Sequence, residues 1–316
     1  MIDRQRPGSP EDGTVVVVVG SVNVDLVLSL PRLPAPGETV IGGRLQGAPG
    51  GKGGNQAVAA ARLGARTWLV GCIGDDDFGR EAREDLSEAG VDTRLLGTGR
   101  APTGVAVVMV DAAGENAIAV ASGANQELDP DMVRAACTSI PSRDAVVLAC
   151  LEVPDAAVLA AAEAAAARGW PFVLNPAPAR PLAPELLRRC AVLTPNHHEA
   201  TALGPSSIPD LLAGGVEAVV VTRGSQGADL YRPDQPVLHQ PPFAVPVLDT
   251  TGAGDAFSAA LAWALAGGQS LEEAVRVAAA AGALSTQAVG ARTSLPDRMA
   301  LDRLLASGRP VRSGRQ

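Results

Sequence analysis

Four cysteines in 316 residues, with no CxxC pair among them, exclude a disulfide scaffold, a thioredoxin-like site and a zinc cage of the usual spacing. Cys72, Cys137, Cys150 and Cys190 are expected to be buried, reduced thiols, and the reducing compartment this implies makes a cytoplasmic location the expectation. Long apolar runs are lacking too. The longest strongly apolar one, Val15–Val19, is far too short to cross a bilayer, so no membrane partner is expected. Asp3, Arg4, Arg6, Glu11 and Asp12 stand at the start with no apolar stretch between them, which is not a secretory signal; residues 1–13 and 311–316 read as tails, the first disordered. Positive charge is in deficit, with 26 Lys and Arg against 34 Asp and Glu and a net charge of −8, so a nucleic-acid partner is not expected. An acidic chain binds polyphosphate by other means: backbone N–H groups, helix N-termini and metal ions. Aromatic residues are only 3% of the chain, and none lies near the polar residues Asn23 and Lys52.

What is present suits a folded globular protein, with 47% hydrophobic and 19% charged residues. Val15–Gly20 reads as a buried strand ending at a glycine. Asp25–Leu30 and Thr39–Leu45 read as short, partly exposed strands. A helical pattern begins at Asn55 and runs to Leu63, followed by strand Thr67–Ile73 and helix Gly79–Glu88. Gly104–Val110 and Asn116–Ala121 flank Asp111-Ala112-Ala113-Gly114, the signature of a hairpin that would pair with the Asp25–Leu45 segment in a small separate sheet. From about Asp129 strands (Ala145–Ala149, Pro171–Leu174, Ala191–Leu193, Ala218–Val221) alternate with helices (Pro130–Cys137, Pro154–Arg168, Pro184–Cys190, His197–Leu203). That alternation means βαβ units and a parallel sheet, hence an α/β fold. Three helices close the chain: Asp255–Ala266, Leu271–Thr286 and Pro296–Ala306.

Five segments carry candidate chemistry. In Asp249-Thr250-Thr251-Gly252-Ala253-Gly254-Asp255 small residues lead into a helix start. Free N–H groups of a first helical turn, backed by the dipole, make an anion hole, and the adjacent carboxylate can accept a proton from a bound hydroxyl. An ordinary capped glycine loop would look the same. Gly50-Gly51-Lys52-Gly53-Gly54-Asn55 superficially suggests a P-loop but fails it, because Gln46 replaces the first glycine and Gly53 the magnesium-holding hydroxyl. It reads instead as a glycine turn against which a polyol lies, with Lys52 and Asn55 bonding its hydroxyls, or as a plain helix-entry loop. Asn23 and Asp25 follow the first strand, on one face, at the end of a parallel sheet where ligands bind. They suit vicinal hydroxyls, or a turn cap. Asn196 and Glu199, three apart at another strand end, suit Mg²⁺. The adjacent His197 and His198 would point apart, and His239 lies in a loop-like region. Thr222-Arg223-Gly224-Ser225-Gln226-Gly227 is a strand-to-glycine turn able to wrap nucleotide phosphates, though many strand ends look like it.

Taken along the chain, the five segments resemble the ribokinase family, the PfkB-type carbohydrate kinases, over about Val15 to Pro296. Two stretches look like the family signatures, GGKGGNQAVAAARL at Gly50–Leu63 and DTTGAGDAFSAAL at Asp249–Leu261. With Gly20–Asp25, Pro36-Gly37-Glu38-Thr39 and LNPAPAR at Leu174–Arg180, the first points to the ribose-using branch rather than to the fructokinase, adenosine kinase or ketodeoxygluconate kinase branches.

The resemblance implies a three-layer α/β/α domain over residues 14–310 with a central, mostly parallel sheet and a small β-sheet lid from about 24–48 and 102–122. It implies ATP-dependent phosphorylation of ribose at its 5-hydroxyl, and lid-to-lid pairing of two copies. Asn23, Asp25, Gly51, Lys52, Gly53, Gly54, Asn55 and Glu152 would hold the sugar. Asp255 would be the catalytic base beside an anion hole at Gly252, Ala253 and Gly254. Asn196, Thr222, Arg223, Gly224, Ser225, Gln226, Gly227, Gly254 and Ala279 would contact ATP, with Glu199 helping to place Mg²⁺. Asp249 and Thr251, with Ser285, Ala288, Gly290 and Ser294, match the family's activating K⁺ site, much of which is backbone carbonyl.

Three features depart from the family pattern. Ala279 stands where relatives carry Asn or His, His197-His198 replaces a more acidic stretch, and Gly204–Gly215 is short and glycine-rich. The alternatives are a sister kinase for deoxyribose, fructose or a nucleoside, and a catalytically silent sugar-binding regulator. The scarcity of aromatics weighs against a nucleoside. A dinucleotide-binding dehydrogenase is excluded because Gly20-Ser21-Val22-Asn23 stands where GxGxxG would.

Overall fold

A computed structural model describes residues 13–203 and 208–308. The expected tails, apart from Gly13, lie outside the described residues, as do residues 204–207 of the glycine-rich segment; residues 208–213 are helical. In chain order the strands are Val15–Val19 (β1), Asn23–Ser29 (β2), Arg44–Gly50 (β3), Arg66–Gly74 (β4), Val91–Asp92 (β5), Leu96–Gly99 (β6), Gly104–Val110 (β7), Asn116–Ala121 (β8), Val146–Cys150 (β9), Phe172–Asn175 (β10), Val192–Leu193 (β11), Ala218–Thr222 (β12), Ala228–Tyr231 (β13) and Leu238–Gln240 (β14). The helices are Lys52–Arg62 (α1), Asp77–Glu88 (α2), Pro130–Ser139 (α3), Asp155–Arg168 (α4), Pro184–Leu187 (α5), His197–Ala202 (α6), Ile208–Ala213 (α7), Ala253–Ala266 (α8), Leu271–Ser285 (α9) and Arg298–Ser307 (α10).

The main sheet runs β14-β13-β12-β11-β10-β9-β1-β4-β5, with β6 also on β4. It is parallel from β5 to β12 and antiparallel only at β13 and β14. All five valines of β1 are buried, because helices cover both faces of the sheet. Val16 and Val18 join the core under α1, α8 and α9, while Val15, Val17 and Val19 join the core under α3 and α4. That period-two division is what a strand demands. Nine of the thirteen alanines of α8 and α9 are buried and none is exposed, so small side chains let these helices pack closely over the sheet.

A second sheet, β3-β2-β7-β8, stands apart from the main one. The hairpin β7–β8 has the expected boundaries and pairs antiparallel from Val105↔Ala121 to Val110↔Asn116. The expected strand Thr39–Leu45 is displaced to Arg44–Gly50. Its register is set by β2, from Asn23↔Gly50 to Ser29↔Arg44, not by the apolar pair Val40-Ile41. Pro49 is tolerated because β3 is an edge strand. The helix expected from Asn55 begins three residues earlier, at Lys52, so Gly53 and Gly54 lie in its first turn. The helix expected over Pro184–Cys190 stops at Leu187, where i→i−3 bonds from Arg189 to Leu186 and Cys190 to Leu187 tighten the chain. The β13 and β14 strands were not legible: each has four residues or fewer, too short for an alternation signal. His239 therefore sits on a strand, hydrogen-bonded to Asp229 at 2.7 Å, and not in a loop. All four cysteines are free and buried.

Close docking of α1 on the end of β1 positions the polar residues of both elements. A Cβ on Gly53 would stand 2.5 Å from the carbonyl carbon of Gly20 and the nitrogen of Ser21, and the Gly54 N–H donates to Ser21 O at 2.8 Å. Overpacking of this kind costs about 1–3 kcal/mol. Gly53→Ala is expected to lower stability by at least about 2 kcal/mol in urea unfolding, against under about 1 kcal/mol for Gly47→Ala on β3, where nothing lies within 4 Å of the added Cβ.

Candidate active site

The carboxyl end of β1, the start of α1 and the start of α8 meet at Asp255. Gly51 caps α1 with φ 82° and ψ 128°, and Gly252 caps α8 in the left-handed conformation with φ 78°; both positive φ values are ones that glycine adopts without strain. A Cβ on Gly252 would also stand 2.9 Å from the Cα of Ala291. The Ala253 N–H donates to the Thr250 carbonyl at 3.2 Å and shapes the turn. Gly254 has no protein atom within 4 Å of where a Cβ would be. The turn thus presents bare backbone to open space at the positive end of a helix.

Asp255 is only 5% exposed. Its Oδ2 accepts from Asn55 Nδ2 at 3.0 Å and its Oδ1 from Gln56 Nε2 at 3.0 Å. Burying a carboxylate costs several kcal/mol, and two hydrogen bonds to a charge offset about 1.5–3 kcal/mol each. The remaining compensation comes from Lys52, half-buried at the start of α1. Its ammonium pKa is raised by the charge of Asp255 first and of Glu152 second, against the opposing effect of burial. One lone-pair direction on each Asp255 oxygen is left for a ligand hydroxyl.

Glu152 follows β9 and clamps two neighbours. It accepts from the Ser21 hydroxyl and, at 3.0 Å, from the Lys52 backbone N–H. Arg180 brackets it from behind, donating to Leu151 O at 2.6 Å and Val153 O at 3.2 Å. Buried Asn23 has its Oδ1 held by Asn125 Nδ2 at 2.8 Å, and Asn125 also bonds both polar groups of the Val22 backbone. Asp25 lies on Gly50, where a Cβ would stand 2.0 Å from Oδ1. Burial raises the Asp25 carboxyl from 3.8 to about 6, the charges of Glu152 and Asp255 add to the rise, and Arg292 opposes it.

The second group of expected residues gathers along the same end of the sheet. Asn196 caps α6 in a reciprocal box: Glu199 N–H donates to Asn196 Oδ1 and Asn196 N–H to Glu199 Oε2, both at 2.8 Å. Asn196 pairs with Thr222 in an isolated parallel bridge, which sets the Thr222–Gly227 turn beside it. Gly224, Ser225 and Gln226 lie in that turn with no buried side chain among them. Arg223 folds back onto Asp229 and, at 3.2 Å, Tyr231. Glu199 contributes to the field at Lys52, so the two groups share one side of the molecule. Ala279 is half-buried in α9, three residues before Gly282, which packs on the Ala253 carbonyl. His197 and His198 are exposed with rings tilted 60°, and among the described residues no three His, Cys, Asp or Glu gather to hold a metal.

Asp249 joins the third group. Its Oδ1 accepts from Thr251 N and Oγ1 at 2.9 and 2.7 Å, and its Oδ2 from Gly290 N at 2.8 Å, while Leu248 N and Asp249 N donate to Thr286 O. Ser285 Oγ and Ser294 Oγ turn onto Gly282 O and Ala291 O, and Ala288 is exposed in the bend between them. The Gly53 and Gly54 N–H groups are engaged on Ser21, so these glycines serve helix docking first.

Sequence reasoning missed Gln56, Asn125 and Arg292. Gln56 also donates to Asn175 at 3.1 Å, which gives the Asn of LNPAPAR a place in the same network. Only the step of one residue along α1 could have drawn attention to Gln56. Asn125 lies in a short 3₁₀ turn with no pattern of its own.

The family model of the pfkB family carbohydrate kinases matches residues 14–298. The chain is 40% identical over 293 residues to a ribokinase of Bacillus subtilis, covering 92% of this chain and 99% of that one. It is 38% identical over 306 residues to a ribokinase of Mus musculus, covering 92% and 94%. Its fold is similar to the crystal structure of a Thermotoga maritima ribokinase, with a TM-score of 0.85, 33% identity and 93% and 99% coverage. It is also similar to Arabidopsis thaliana ribokinase complexed with ribose and ATP, with a TM-score of 0.81, 35% identity and the same coverage.

The raised Asp25 carboxyl carries a linkage consequence. The folded protein holds that proton more tightly than the unfolded chain, so this group's contribution to stability is greatest below about 3.8 and falls as pH rises through about 6. Asp25→Asn, which mimics the protonated form, is expected to gain stability relative to wild type between pH 4 and pH 7 in thermal unfolding. A gap that is constant across that window would contradict the environment described.

Proposed function

This chain belongs to the pfkB family of carbohydrate kinases, and from that membership we propose that it transfers the γ-phosphoryl group of ATP to the 5-hydroxyl of ribose. The observation that carries the reading is Asp255: a buried carboxylate, oriented by Asn55 and Gln56, beside the bare glycine turn at the start of α8. Asn55 bonds that carboxylate and Asp25 and Lys52 lie in its field, and with Asn23 and Glu152 they offer the mixture of amides, acids and one cation that a sugar's hydroxyls need. Asp255 accepts the hydroxyl proton as the oxygen attacks the γ-phosphorus. The bond to the ADP oxygen breaks, and the proton stays on Asp255 until it is lost to water. The glycine turn at 252–254 stabilises charge on the moving phosphoryl oxygens. The Asn196–Glu199 cap and the Thr222–Gly227 turn hold the nucleotide, with Ala279 facing the base less selectively than an amide would.

The donor chemistry fits the expected cations. Glu199 keeps one carboxylate oxygen outside its cap, enough for Mg²⁺, which retains most of its waters. Held there, Mg²⁺ would supply neutralisation of the phosphate charge. Asp249 and the 285–294 loop adjoin as a carboxylate with backbone carbonyls, the hard oxygen set that suits K⁺.

The small sheet acts as a lid that keeps water from competing as acceptor. Ile118 (60%) and Val120 (53%) are exposed at the edge strand β8, on the face that β2 shares through Asp25 and Val27, and a second copy's lid covers them. Light scattering is expected to show a dimer that Ile118→Asp dissociates; an unchanged mass would remove the pairing.

A coupled assay of ADP release with ribose, 2-deoxyribose, fructose and adenosine, with and without K⁺, tests the substrate. Ribose is expected to give the highest kcat/KM and K⁺ to raise it. Faster turnover of fructose or adenosine would reassign the substrate. Asp255→Asn is expected to bind ribose and lose at least about a thousandfold in kcat. Near wild-type turnover in that variant would end the base assignment, and inactivity of the wild type on every sugar would favour the silent regulator.

A further inference from the structure

We propose, on the basis of the kinase reading, that Arg292 is a positioning residue for the reaction: its guanidinium orients Asn55, and through it the Asp255 carboxylate, while facing Asp25 with a positive charge. Arg292 lies in the turn after α9, outside all five segments, and is 4% exposed. A buried guanidinium without partners would be strongly destabilising, so its contacts reveal its task. It is paired to Asp85 on α2, donates through Nη2 to the Gly50 carbonyl at 2.9 Å, and reaches Asn55 Oδ1 through Nε at 3.4 Å. Gly54 makes room for it, since a Cβ there would stand 2.4 Å from Nη2.

Orientation of Asn55 is the central point. An amide has one acceptor end and one donor end, and only the donor end is useful to a carboxylate. Arg292 offers donors alone, so it binds the Oδ1 end and leaves Nδ2 facing Asp255 at 3.0 Å. Without it the amide is free to rotate and present Oδ1 to a carboxylate, which repels it. Gly50, the other acceptor, closes β3 of the lid opposite Asn23 and carries Asp25 on its surface. One side chain therefore ties α2, the base of the lid and the general base together. Ala291, its neighbour, packs on the Gly252 cap, so the same turn also reaches the anion hole.

The charge has a second effect. Asp25 faces the charges of Glu152, Asp255 and Arg292; the two acids raise its carboxyl pKa and Arg292 lowers it. Arg292 itself faces Asp85, Asp25 and Arg62. Removing the guanidinium takes away the charge that lowers the Asp25 carboxyl, and leaves Lys52 to offset Asp255 and Glu152.

The test is the pH profile of ribose phosphorylation, from pH 5 to 9, in wild type, Arg292→Lys, Arg292→Gln and Asp85→Asn, with thermal unfolding of each. Arg292→Gln is expected to lose about 10–100-fold in kcat, as misplacement of a reacting group does, and to move the acidic limb of kcat/KM up by about one unit. Arg292→Lys, which keeps the charge but not the planar fork, is expected to lose kcat with the limb in place. Asp85→Asn, at the half-exposed end of the pair, is expected to lower kcat without raising the limb, and the double variant with Arg292→Gln to fall no further than Arg292→Gln alone. A merely structural arginine would lower the unfolding temperature and leave kcat per active site and the limb unchanged, and that result overturns the proposal. If Arg292→Gln does not fold, Arg292→Lys and Asp85→Asn with wild-type kcat overturn it equally. An inactive wild type defeats the kinase reading itself, a different outcome from an active wild type whose variants match it.

Discussion

The Asp255 carboxylate is held by two side-chain amides, and the site takes its form from that constraint. Asn55 and Gln56 are consecutive on α1, yet each bonds a different oxygen of Asp255 on α8. Two helix starts are thereby locked face to face across the end of β1. A carboxylate this buried is tolerable only with such donors and a nearby cation, and those requirements also leave it aimed, partly free and screened from bulk water. Lys52 supplies the cation from the first residue of the same helix.

Bringing the helices that close requires the absence of side chains at several points. Gly53 touches the Gly20–Ser21 backbone, Gly252 touches Ala291, and Gly54 yields its space to Arg292. These glycines answer to packing as much as to ligand, which explains why a stretch poor in helix propensity is nonetheless helical. Tertiary contact outweighs a propensity cost of about 1 kcal/mol per glycine. The electrostatics obey the same logic. Asp25, Glu152 and Asp255 are crowded together, and Lys52 and Arg292 keep the crowd from repelling itself apart.

The architecture was largely legible because its signals are local. The five-valine run of β1, the hairpin at Gly104–Ala121 and the strand–helix alternation after Asp129 each depend on short-range pattern, and each forms close to where that pattern places it. β3 escaped because its position is dictated by pairing with β2, and β13 and β14 because a strand of three or four residues shows no period. Within the site, Asp255, Asn55 and Lys52 stood out through their glycine-rich setting. Arg292 and Asn125 did not, because a lone arginine in a turn and a lone asparagine in a 3₁₀ turn carry no mark in sequence.

By itself the order of residues determined the class of fold, the acid at the start of α8 and the polar residues at the ends of β1 and α1, since backbone preference and hydrophobic period act over a few neighbours. Only the tertiary structure decided which oxygen each amide serves, that Asn23 is braced by Asn125, that Glu152 bridges Ser21 and the Lys52 backbone, and that Arg292 reaches Asn55 from 237 positions away. Hydrogen bonds and charge interactions depend on distance through space, and that distance exists only once the two helices have docked on the end of the central strand.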